Sequence, residues 1–121
     1  MAYRVTFEPE HKLVTVIAEG AGNMSVALES MRDLRTDRRF QSDYGILCDL
    51  TKEEFEPDAI ERVGLSSVLQ GFFAGQRLAF VTSGSRYLET LQFIILQAEQ
   101  KVDAKIFGDI PAAKAWLMSE H

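Results

Sequence analysis

Polar and apolar positions alternate with a period of two at the start of the chain, where Tyr3, Val5 and Phe7 are separated by Arg4, Thr6 and Glu8. Successive side chains of a strand point to opposite faces, so this run predicts an edge strand with one wet face. A turn over Pro9 to Lys12 leads into LVTVIAEG, a β-branched run ending at Gly20, and the two runs together predict an antiparallel hairpin. The period then becomes helical. Asn23 is placed to cap a segment whose Met24, Ala27, Leu28, Met31 and Leu34 share one face, with Glu29, Arg32, Asp33 and Arg35 opposite. Tyr44 to Leu50 is a continuous apolar run, the pattern of a strand buried on both faces in a parallel sheet.

Pro57 suits the first turn of a second helix, because its missing N–H would have no intrahelical partner there, and Gly75 stops that helix after about Phe73. Its expected inner stripe is Ile60, Val63, Ser67, Val68 and Phe72. RLAFVT, from Arg77 to Thr82, reads as another two-faced strand. The Ser83-Gly84-Ser85-Arg86 turn then opens a third helix from Tyr87 to about Lys101, and Val102 to Phe107 completes the strands. Asp109 caps, and Pro111 starts, a short last helix through Ala112, Ala115, Trp116 and Leu117. The order is ββαβαβαβα. It predicts an α/β fold across residues 1–121 as one domain: a mixed, mostly parallel five-stranded sheet with the first strand antiparallel at an edge, right-handed crossovers and four helices.

Two helices carry more apolar surface than one buried face needs. Leu65, Leu69 and Phe73 lie off the expected stripe of the second, and Leu88, Ile95 and Leu96 widen that of the third. Exposed apolar patches on a monomer are normally limited, so a homodimer through helical or sheet surface is expected.

Composition narrows the field of function. The chain is 46% hydrophobic and 26% charged, ordinary for a folded domain. A formal net charge of −5 opposes binding to phosphate backbones, so nucleic acid is not expected as a partner. The longest apolar-leaning run, Leu88 to Ala98, is interrupted by Glu89, Thr90, Gln92 and Gln97 and does not predict a membrane span. One cysteine and an opening MAYRVTFEPE without a signal-peptide pattern point to a reducing, cytoplasmic setting.

The opening EPEHKLVTVIAEG, the apolar strand ending in aspartate (ILCDL), RLAFVT and the closing IFGDIPAAKAWL resemble the SpoIIAA-like family of bacterial proteins, grouped with STAS domains and more distantly with the CRAL-TRIO fold. The resemblance spans nearly the whole chain and rests on structural motifs. It implies a SpoIIAA-like sheet and a non-enzymatic regulatory role. STAS-type antagonists carry a phosphorylatable serine after the corresponding central strand. Here that position reads TKEEFEPDA, with Thr51 its only hydroxyl.

The candidate chemistry clusters around LCDLTKEEFEP, Leu47 to Pro57. Cys48 inside an apolar strand reads as a small buried hydrophobe, and neither His11 nor His121 is placed to activate it, so no catalytic residue is assigned. Two terminal histidines do not make a zinc site, the acids lack the pattern of a calcium loop, and no phosphate-binding glycine motif is present; no metal or cofactor is expected. Glu53, Glu54, Glu56, Asp58 and Glu61 suit the start of a helix and form a candidate acidic partner surface, with Glu53, Glu54 and Glu56 foremost. Arg32, Arg35, Arg38 and Arg39 suit a solvated helix end, which explains them adequately, the alternative being a salt-sensitive contact with the acidic loop of a second copy. Ligands of open α/β sheets sit outside the carboxyl ends of strands, which makes Asp49, Thr51, Ser83, Ser85 and Arg86 the candidate ligand or partner edge. The sequence therefore predicts a small non-enzymatic interaction or regulatory domain, acting on itself or another protein. The alternative is a carrier or sensor of a small lipid-like or anionic ligand at the carboxyl edge of the sheet.

Overall fold

Five strands form a single sheet in the order β1-β2-β3-β4-β5, comprising Ala2–Glu8, Leu13–Gly20, Gly45–Glu53, Arg77–Val81 and Asp103–Phe107. A computed structural model describes residues 2–82, 88–98 and 101–119. β1 pairs antiparallel with β2 through a short 3-10 turn at Pro9–His11, and every later pair is parallel. Four helices complete the fold: α1 (Met24–Thr36), α2 (Ala59–Phe73), α3 (Leu88–Ala98) and α4 (Ile110–Met118).

Strands β2 to β5 follow one another in space as they do in sequence. With a constant right-handed crossover, such an order puts every connecting helix on the same side. The main core shows this, since Ala27 and Leu34 of α1, Leu65, Leu69 and Phe73 of α2, and Leu91 and Ile94 of α3 pack with Val14, Ile46, Leu78 and Phe80. Among the described residues the opposite side receives only α4, whose Ala113, Trp116 and Leu117 lie on Leu47, Ala79 and Val81. A Cβ built on Gly45 would stand 3.0 Å from Leu117 Cδ2, so the glycine lets α4 approach β3 closely.

Helix ends follow from their caps. Asn23 Oδ1 accepts from the Val26 N–H at 3.0 Å, and Asp109 Oδ1 from the Ala112 N–H at 2.8 Å. α2 starts at Ala59, two residues later than expected, because Asp58 and Glu61 form a reciprocal capping box: Asp58 Oδ1 accepts from the Glu61 N–H at 2.8 Å, and Glu61 Oε1 from the Asp58 N–H at 3.0 Å. Pro57 precedes the cap instead of occupying the first turn. Gly75, in the left-handed region at φ +82°, ends the segment as expected.

The inner stripe of α2 differs from the expected one. Leu65, Ser66, Leu69 and Phe73 are buried, whereas Ile60 is 83% exposed, Val63 52% exposed and Ser67 exposed. After Arg62 the helix carries no charge, so little polar contrast fixes its rotation in the sequence. Spacings of four place Leu65, Leu69 and Phe73 on the sheet, where each buried side chain contributes about 1.5–3 kcal/mol. On α4 the buried alanine is Ala113, with Ala112 and Ala115 exposed.

Candidate functional site

Between the sheet and α1, α2 and α3 lies a cavity of about 120 Å³. Its floor is the helix-covered side of the strands, chiefly Val16, Ala18, Ile46, Cys48, Leu78 and Phe80, and its roof includes Leu34, Leu65, Leu69, Phe73, Leu91 and Ile94. The lining is apolar except for Tyr3, Ser30, Cys48, Glu53 and Thr90. Apolar walls with a few convergent polar groups are what small-ligand sites consist of.

The β3 stretch that supplies Cys48 and Glu53 does not turn away after Leu50, where the sequence suggested a loop. It continues as strand to Glu53 along β2, with Lys52 opposite Glu19 and Glu53 opposite Gly20. The register shifts on the way: Ile17 faces Asp49 but Glu19 faces Lys52, so two steps on β2 are matched by three on β3. The additional residue is a β-bulge, and it reverses the parity of every position beyond it. Ile46, Cys48 and Leu50 line the cavity in strict alternation, after which the next residue inside is Glu53, with Thr51 and Lys52 exposed.

Glu53 is therefore separated from the solvated acids with which the sequence grouped it. Glu54 and Glu56 are exposed, but Glu53 is half-buried in the cavity wall. Loss of hydration raises its carboxyl pKa from 4.5 to about 7. Burial likewise pushes the Cys48 thiol up to about 12, reinforced by the charges of Glu53 and Asp49, so the sulfur is a poor nucleophile at neutral pH. The Tyr3 phenol is held protonated by burial and by the nearby Glu53, against an opposing influence of the neighbouring Ser30 side chain.

Asp49 and Thr51 are brought together, but away from the cavity. Asp49 alternates with Cys48 and lies buried on the other side of the sheet. Its Oδ1 accepts from the Thr51 N–H at 3.0 Å and from the Thr51 hydroxyl at 2.7 Å, which fastens the bulge. The monotonic strand order contains no reversal, so the crevice that opens where neighbouring strands diverge to opposite sides is missing at this edge. Ser83, Ser85 and Arg86 lie outside the described residues, as does His121.

The basic stretch is similarly divided. All four arginines are exposed, but the Arg39 guanidinium donates two hydrogen bonds of 3.1 and 2.9 Å to Asp37 and stacks 4.3 Å over the Phe7 ring. Among the described residues no three metal-ligating side chains converge, and no helix is long and apolar enough to cross a membrane.

The sequence reading missed Tyr3, Ser30 and Thr90 as site residues and put Glu53 in the wrong surroundings. The one local signal was the Asp49-x-Thr51 pair, two residues that favour side-chain-to-backbone bonds at irregular backbone. No family model, curated protein or solved structure gives a significant match to the chain.

Proposed function

We propose that this protein is a non-enzymatic domain of SpoIIAA-like, STAS-type character that carries or senses one small apolar molecule. The observation that supports the reading is the cavity of about 120 Å³ under α1, α2 and α3, whose walls are apolar with polar groups gathered around Tyr3, Ser30 and Glu53. An apolar cavity of roughly 150 Å³ is enough to take up benzene, so a six-membered ring or a short branched chain is the right scale. The site is under the helices and not at the carboxyl edge of Asp49 and Thr51, whose hydrogen-bonding groups serve each other.

Native mass spectrometry of protein purified without denaturation tests this reading. A bound molecule is expected, and the mass shift disappears in Ala18→Leu, which fills the cavity floor. A clean mass for the folded parent chain, together with no uptake of added toluene, rejects it.

A second reading, in which the domain works by contact with another copy or another protein, is favoured by Ile60, Val63 and Leu96, which are 83%, 52% and 62% exposed on α2 and α3. Light scattering at micromolar concentration separates the two: a dimer that Ile60→Ser with Val63→Ser dissolves supports association, and a monomer rejects the homodimer.

A further inference from the structure

Within the association reading, the outer side of α2 can be assigned a partner and a direction. Ile60, Val63, Ser67 and Gly71, with the C-cap Ala74, recur at helical spacing opposite the buried Leu65, Leu69 and Phe73, and all five are exposed. The helix carries no charge after Arg62, whereas the solvent face of a surface helix is normally charged or polar. We propose that this stripe is the contact with a second copy of the chain, packed as an antiparallel pair of α2 helices about a two-fold axis at Ser67.

Shape favours that direction. The stripe is bulky in its first half, at Ile60 and Val63, and shallow in its second, at Gly71 and Ala74. An axis at the midpoint, Ser67, sets Ile60 opposite Ala74 of the second copy and Val63 opposite its Gly71, so each large side chain meets a surface that can receive it. A parallel pair would set Ile60 against Ile60 and leave Gly71 facing Gly71.

Charge favours the same direction. α1 and α2 run side by side with their starts together: a Cβ on Gly64 would stand 3.1 Å from Met24 Cε, and near the other end the Phe40 and Phe73 rings are 6.1 Å apart. Arg35, about three turns on from Met24, shares the flank that α1 presents to α2, and Arg32 lies one turn before it. Glu29, Asp33 and Asp37 lie on the other flank, in a groove with Tyr3 and Val5 of β1. The end of the paired helices that bears their C-termini is thus basic. At the opposite end, outside the cavity, Glu54, Glu56, Asp58 and Glu61 outnumber Lys52 and Arg62. Antiparallel packing lays the acidic end of each copy against the basic end of the other, twice per dimer, and parallel packing lays like charge on like.

Light scattering establishes the dimer in the parent chain, and disulfide trapping under mild oxidation reads its direction. The Cys48 thiol is held protonated by burial, so an introduced exposed cysteine is the one that reacts. Ser67→Cys is expected to link two copies across the axis. Ile60→Cys alone is not, because the antiparallel pair holds the two positions about 21 Å apart along the helix, well beyond disulfide reach. An equimolar mixture of Ile60→Cys and Ala74→Cys is expected to link. Arg32→Glu with Arg35→Glu should weaken dimerisation by about tenfold at low salt and by less than about twofold in about 1 M salt. Circular dichroism verifies that each variant keeps its fold. Linkage by Ile60→Cys alone, or failure of Ser67→Cys or of the mixture to link a dimeric protein, overturns the antiparallel contact and leaves the association reading standing. An unchanged dimer in the double arginine variant overturns the pairing of charged ends. A monomeric parent rejects the homodimer and this inference with it.

Discussion

The carboxylate of Asp49 holds Thr51 by two bonds at once, to its backbone N–H at 3.0 Å and its hydroxyl at 2.7 Å. What looked in the sequence like an acid and a hydroxyl awaiting a ligand is a fastening inside the strand. Asp49→Ala should cost about 1–3 kcal/mol, because it removes both bonds and leaves the Thr51 N–H unpaired, whereas Thr51→Ala should cost about 1 kcal/mol. Urea unfolding of both variants checks the ranking, and equal, near-zero effects would contradict the role given to Asp49.

Glu53 makes stability depend on pH in a direction opposite to that of most carboxylates. Its pKa is near 4.5 in the unfolded chain and about 7 when folded, so between those values the folded protein keeps a proton that the unfolded chain has lost. This contribution is complete below about 4.5 and is lost as pH rises through about 7, a change of up to about 3 kcal/mol. Glu53→Gln should flatten the dependence and be more stable than the parent at pH 8. A parent whose stability is flat or rises across this interval, measured by thermal melts, would show that the carboxyl is not buried as described.

The orientation of α2 can be tested by contrast. Phe73→Ala should destabilise by about 3–5 kcal/mol and Leu69→Ala by about 2–5 kcal/mol, since both open space in the core. Ile60→Ser and Val63→Ser, in the stripe that periodicity favoured, should each change stability by less than about 0.5 kcal/mol in the monomer. A reversed ranking in denaturant titrations would restore the rotation read from the sequence.

Arg77, the first residue of β4, secures α4. Its guanidinium donates to the carbonyls of Trp116, Leu117 and Ser119 at 2.6, 3.2 and 3.0 Å and lies 4.2 Å over the Trp116 ring. Arg77→Lys keeps the charge but loses the planar fork, and should loosen the helix end by about 1–2 kcal/mol. Trp116 is the only tryptophan, so a red shift of its emission reports the change directly, and an unaltered spectrum and melting temperature would refute the clamp.

Where polar contrast was high, the chain was readable. The alternation from Tyr3 to Glu8 gave the edge strand, and Asn23 and Asp109 marked helix starts because their oxygens satisfy free N–H groups nearby. Where contrast was low, as along the uncharged part of α2, periodicity could not choose between Leu65-Leu69-Phe73 and Ile60-Val63-Ser67. The candidate site suffered most. Whether Lys52 or Glu53 faces inward depends on the register between β2 and β3, a long-range property that neither strand displays alone. Tyr3 and Ser30 meet across strand β1 and helix α1, which only the folded chain brings together.

The bulge in β3 has a consequence for lineages descended from such a chain. Inserting one residue between Ile17 and Glu19 on β2 would restore regular pairing, and the inward position on β3 would then be decided by alternation from Leu50. In the parent sequence that alternation selects Lys52, so a codon-length insertion in β2 can exchange an acid for a base in the cavity wall. The charge of the cavity wall would then change sign by a change of length, leaving the hydrophobic walls untouched.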